Sequence, residues 1–119
     1  MNIETLRELC LCFPGVTEAI KWDADLCFSV GGKLFCITSM EAPHTISFKV
    51  SEEEFGELSN SLHVIPAPYL ARNKWVQVQE WSRFSGEEWK YYVKQSYDLV
   101  RLKLPKKLQH QLLFEEQDL

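Results

Sequence analysis

The densest grouping of chemically capable side chains is the tract Pro66-Ala67-Pro68-Tyr69-Leu70-Ala71-Arg72-Asn73-Lys74-Trp75. Arg72 and Lys74 can neutralise phosphate, Asn73 can hydrogen-bond, and Tyr69 or Trp75 can stack on a planar ring. The same residue types also suit an amphipathic strand packed on a helix, or a protein-binding patch. Further along, Lys103, Lys106 and Lys107 have no acidic residue close to them in sequence. They are free to meet an anion or to cap the C-terminus of a helix.

Other chemistry is sparse. No G-x-S-x-G, G-x-x-x-x-G-K-[ST], H-E-x-x-H or G-x-G-x-x-G occurs. His44, His63 and His110 lie far apart, and Asp23 and Asp25 are best read as turn formers whose carboxylates cap their own backbone. No catalytic set, metal site or cofactor is expected. None of the cysteines, Cys10, Cys12, Cys27 and Cys36, sits in a C-x-x-C pair. If Gly31-Gly32 is a two-residue hairpin turn, Cys27 stands opposite Cys36 at a non-hydrogen-bonded site, where Cα atoms approach to about 4.5 Å. A bridge there is near the short limit of disulfide spacing. The start of the chain does not read as a secretory signal, so reduced, buried thiols in a cytoplasmic protein are expected.

The elements that must position these residues follow from capping and periodicity. Asn2 caps a helix from Ile3 to about Cys12, stopped by Pro14-Gly15. A short extended piece near Ala19 to Trp22, the hairpin strands Leu26 to Val30 and Lys33 to Thr38, and a strand from His44 to Val50 read as antiparallel sheet. The hairpin register puts Leu26, Phe28, Val30, Phe35 and Ile37 on the core face, and Cys27, Ser29, Leu34, Cys36 and Thr38 on the other. Ser51 with Glu54 is a capping box opening a helix to about Ser59, and Ser85 with Glu88 opens the longest helix, to about Leu104. Pro66 and Pro68 leave residues 62 to 73 irregular, with a short edge strand near Val64, before a strand from Lys74 to Glu80. Pro105 starts a last helix, and the acidic end from Glu115 to Leu119 is expected to fray. The order, α-β(3)-α-β(2)-α, implies an α+β two-layer sandwich of antiparallel sheet and helices, one domain over residues 1–119.

Charge is unevenly distributed. The 119 residues carry a net charge of −4, which argues against a surface that is cationic all round. Residues 1–59 hold 4 basic and 10 acidic groups, whereas residues 60–110 hold 9 basic and 4 acidic groups. On the long helix Lys90, Lys94 and Arg101 have carboxylates at helical spacing and read as a solvated ion-paired face. Arg72, Lys74, Lys103, Lys106 and Lys107 remain as candidates for one electropositive region.

The tract from Pro66 to Val76 resembles the signature of the small bacterial MmcQ/YjbR proteins. So do Gln95-Ser96-Tyr97-Asp98-Leu99-Val100 and Lys103-Leu104-Pro105-Lys106-Lys107. The openings Asn2 to Arg7 and Phe13 to Glu18, and the Gly31-Gly32-Lys33 hairpin, fit the same family, so the resemblance spans nearly the whole chain. It implies a secretion-chaperone-like fold, also described as a CyaY-like double wing, and a DNA-binding role without catalysis. The expected nucleic-acid site is Tyr69, Arg72, Asn73, Lys74, Trp75, Lys103, Lys106 and Lys107. The alternative expectation is a protein-binding adaptor, dimeric or not, using the half-apolar outer sheet face around Leu34 and Cys36. A third, a small-molecule site, would need a well-formed apolar pocket.

Overall fold

Each helix begins where a side chain or a proline deals with the first free N–H groups. Asn2 Oδ1 accepts from the Thr5 N–H at 2.8 Å and starts α1 (Ile3–Leu11). Reciprocal capping boxes, Ser51 with Glu54 and Ser85 with Glu88, start α2 (Glu52–Leu58) and α3 (Gly86–Arg101). Pro105, which lacks the N–H, precedes α4 (Lys106–Gln117). The computed structural model describes the backbone of residues 1–117 and side chains through Leu112. Of the acidic end expected to fray, Glu115 to Gln117 belong to α4, and the last two residues lie outside the described ones.

Six strands form one antiparallel sheet: β1 (Val16–Lys21), β2 (Asp25–Val30), β3 (Lys33–Ser39), β4 (Ile46–Lys49), β5 (Val64–Pro66) and β6 (Trp75–Val78). Their spatial order is β1-β2-β3-β4-β6-β5. The fold is α+β, as the sequence predicts, but four strands rather than three precede α2. The short extended piece is a full strand, pairing with β2 from Val16↔Val30 to Lys21↔Asp25. β5, which ends in Pro66, lies at the sheet edge, where a missing N–H breaks no ladder. β6 starts at Trp75 and not Lys74, because Lys74 has φ 64°, outside any strand geometry. Leu6 and Cys10 of α1, and Trp89, Val93 and Tyr97 of α3, close the core against Phe28, Val30, Phe35, Phe48, Val76 and Val78.

The hairpin corrects the predicted faces. Val30 pairs with Lys33 and Ser29 with Leu34, but the next pairs are Phe28↔Cys36, Cys27↔Ile37 and Leu26↔Thr38. Phe35 is an extra residue, a β-bulge, and every residue of β3 beyond it changes face. Cys36 and Thr38 therefore join Leu26 and Phe28 in the core, and Ile37 turns outward beside Cys27. Cys36 meets Cys10 of α1 instead of Cys27. The hydrogen bond between those two thiols, together with burial, pushes the Cys10 thiol far up and keeps it neutral. All four cysteines are free. The outer face loses Cys36, one of the two residues on which the adaptor expectation stood.

One hydroxyl joins the helical layer to the bulge. Ser96 Oγ donates to the Phe35 carbonyl at 2.6 Å and accepts from the Lys49 N–H at 2.9 Å. Wholly buried, it satisfies two backbone groups on neighbouring strands and places α3 relative to Lys49.

Candidate functional site

The tract between β5 and β6 is two tight turns in succession. The Leu70 N–H donates to the Ala67 carbonyl at 3.1 Å, closing a turn with Pro68 second and Tyr69 third. Tyr69 has φ 66°, the left-handed value that a type II turn requires at that position and that glycine usually supplies. A 3-10 turn (Ala71–Asn73) follows and ends at Lys74. The Lys74 N–H donates to the Ala71 carbonyl at 3.0 Å and the Trp75 N–H to the Leu70 carbonyl at 3.4 Å, the paired bonds of a Schellman ending. Lys74 stands where that motif favours glycine. Each of these two side chains costs roughly 1–2 kcal/mol in a left-handed conformation, and such strain collects at binding sites.

The second turn forms one wall of a cleft of about 350 Å³. Lys33, Lys49, Lys103 and Asn73 supply its polar lining, and Leu34, Leu70, Trp75, Val100 and Leu104 its apolar lining. Among the described residues that line it there is no carboxylate. Leu104 is held against the hairpin turn: a Cβ added to Gly31, which has φ +58°, would lie 2.7 Å from Leu104 Cδ1. Lys49 Nζ donates to the Asn73 carbonyl and so reaches across from β4 to the turn. Burial, then the charges of Lys103 and Lys74, hold the Lys49 ammonium below the ordinary lysine range. Lys49, crowded in this way by burial and by two neighbouring cations, is short of a counter-charge, which an anion in the cleft would supply.

The structure thus brings together Asn73, Trp75 and Lys103 of the predicted site, with Lys74 electrostatically close. Trp75 lines the cleft but is only 5% exposed, so it is no open stacking platform. Tyr69 is fully exposed and available for stacking. Arg72, Lys106 and Lys107 are exposed but lie outside the cleft lining. The cations set aside as a solvated face are ion-paired: Lys90 with Glu87 at 3.9 Å, Lys94 with Asp98 at 3.0 Å and Arg101 with Asp98 at 3.1 Å. A capping role for the later lysines is already filled, because Gln109 Nε2 donates to the carbonyls of Leu102 and Leu104 at 3.1 and 2.7 Å. Sequence reasoning missed Lys33, Lys49 and Leu70. Lys33 directly follows the hairpin glycines and Lys49 is the only cation in its strand, but both lie in the acidic half of the chain. A larger hollow of about 910 Å³, lined by Glu4, His44, Glu80, Trp81 and neighbours, carries carboxylates and neither lysine nor arginine, so its charge is wrong for the predicted chemistry.

An antiparallel sheet backed by helices places the chain in the α+β class. The YjbR family model matches residues 11–99, and the chain belongs to the YjbR family. A crystal structure of the Deinococcus radiodurans protein DR2400, described by the family-model domain DUF419, superposes with a TM-score of 0.84 at 26% identity, covering 93% of this chain and 87% of that one. A Pseudomonas syringae protein shares the fold with a TM-score of 0.70 at 15% identity, over 84% of this chain and 99% of that one. No match among the curated proteins was found.

Proposed function

We propose that this protein is a non-catalytic nucleic-acid-binding module of the cytoplasm that holds phosphates at the lysine-rimmed cleft. The observation that carries the reading is the convergence of Lys33, Lys49 and Lys103 on one cleft without a lining carboxylate, in a chain whose net charge is −4. Lys74 reinforces the field, and Tyr69 supplies an exposed aromatic face on the adjoining turn. Arg72, Lys106 and Lys107 are exposed and can extend the contact to flanking phosphates. Among the described residues no helix is long and apolar enough to cross a membrane, and the free thiols suit a reducing compartment.

Affinity for DNA measured against salt concentration tests this. Each lysine that displaces a counterion contributes about −0.9 to the log–log slope on duplex, or about −0.7 on single strands. The cleft lysines with Lys74 should give a slope between about −2 and −4, and Lys103→Glu should make it shallower by about 1 or more. A flat slope, or no binding near physiological salt, refutes the reading.

The second reading, a protein-binding adaptor, draws support from Ile20 and Trp22, which stand 60% and 66% exposed at the edge strand β1 and the turn after it. Light scattering and a pull-down together separate the two, because a monomer that captures no protein partner counts against the adaptor.

A further inference from the structure

The geometry points to a one-nucleotide site: the cleft takes a single unpaired nucleotide, with its phosphate on Lys49 and Lys103 and its base against Leu34 and Leu70 over Trp75. The proposal rests on the nucleic-acid reading for the source of that nucleotide, and it adds that the protein prefers single strands or strand ends to duplex.

Lysines alone could hold a bare anion, so the apolar lining is what narrows the ligand. Five of the nine lining residues are Leu34, Leu70, Trp75, Val100 and Leu104. Trp75, Val100 and Leu104 are already buried and form the floor, whereas Leu34 and Leu70 are half-buried, and these an inorganic ion would leave wet and a base would cover. The volume, about 350 Å³, lies at the small end of the roughly 300–1,000 Å³ that small-molecule sites occupy. A single nucleotide is of that scale; a duplex, whose bases are stacked inside, could offer only its backbone at the rim. The cations lining the cleft are all lysines. Their ammonium groups act as point charges that can meet a phosphate from several sides. Among the described residues the Asn73 carboxamide makes no hydrogen bond, although it lines the cleft, so it is open to a base edge. Tyr69, one residue before Leu70 and fully exposed, is placed to stack on the next base of a strand.

Calorimetric titration with four probes at one salt concentration tests the proposal: a mixed-sequence single-stranded oligodeoxynucleotide, the duplex of the same sequence, a nucleoside 5′-monophosphate, and inorganic phosphate. The single strand should bind at least tenfold tighter than the duplex, and the monophosphate should bind measurably tighter than phosphate. Lys103→Glu, at an exposed position, should weaken single strand and monophosphate together by about tenfold. Amide shifts at Leu34, Lys49 and Asn73 on adding monophosphate should locate the contact without reliance on any variant. Equal affinity for single strand and duplex overturns the proposal and leaves the nucleic-acid reading standing. Equal affinity for monophosphate and phosphate shows that the apolar lining takes no part and also overturns it. Binding of the monophosphate but of neither oligonucleotide supports the one-nucleotide cleft, assigns its ligand to free nucleotides, and ends the nucleic-acid reading. Binding of none ends both.

Discussion

Tyr69 and Lys74 hold backbone positions that glycine would occupy at lower energy, so each can be tested by giving the backbone the residue it favours. A left-handed side chain costs roughly 1–2 kcal/mol, and glycine's extra freedom in the unfolded chain returns about 0.5–1 of that. Tyr69 makes no contact that burial would register, since it is fully exposed. Tyr69→Gly should therefore raise stability by about 0.5–1 kcal/mol in urea unfolding, while single-strand affinity falls by about 1–3 kcal/mol with the loss of one stacked base. A variant that gains stability and keeps its affinity removes Tyr69 from the site. The chemical types in this tract were legible in the sequence, and Pro68 marks the first turn. The orientation of Trp75 was not legible. Its burial follows from Lys74 ending a 3-10 turn in the left-handed region, a conformation that residue type gives no reason to expect of lysine.

At the scale of elements, the helix starts were readable because capping is local: Asn2, Ser51 and Ser85 each bond within three residues. The six-strand order and the bulge at Phe35 were not, because they depend on partners far along the chain. Ser96, 61 residues from Phe35, is the clearest case. In the sequence it is one polar position in an apolar helical stripe. In the fold it links α3 to β3 and β4. Ser96→Ala would leave the Phe35 carbonyl and the Lys49 N–H without that buried partner, at a cost of about 1–3 kcal/mol. A lowered urea midpoint with an unchanged slope would show the loss as stability alone. Because the same hydroxyl holds the backbone of Lys49, amide shifts in this variant should spread along β4 to the cleft. Shifts confined to α3 would separate the hydroxyl from the site.

For the molecule as a whole, net charge by sequence halves was a poor guide to the surface, because Lys33 and Lys49 come from the acidic half and Lys103 from the basic one. Charge also governs the acid side of stability. Arg7 Nε and Nη2 donate to the two Glu18 carboxylate oxygens at 2.9 and 2.6 Å, tying α1 to β1. The Arg7 hydrogen bond, working against some burial, holds the Glu18 carboxyl below its usual range, and Glu18 raises Arg7, which stays charged throughout. A carboxyl lowered by folding contributes stability that is complete above the ordinary carboxylate range and is lost as pH falls through the folded value. Glu18→Gln should therefore be less stable than the parent at neutral pH, with the gap narrowing as pH falls below the ordinary carboxylate range and closed only below the lowered folded value, where Glu18 too is uncharged. A thermal-unfolding series against pH reads the gap directly, and a constant gap would assign the effect to packing. The extra residue in the hairpin has its own consequence for anyone exchanging loops among relatives of this chain. The pairing of Phe28 with Cys36, and not the number of residues before it, must be conserved. A straight ladder that kept Phe35 would pair it with Phe28, turning a thiol and a threonine out to water and an isoleucine in, locally more regular and globally misassembled, whereas deleting Phe35 leaves those faces as they are and removes only a core ring.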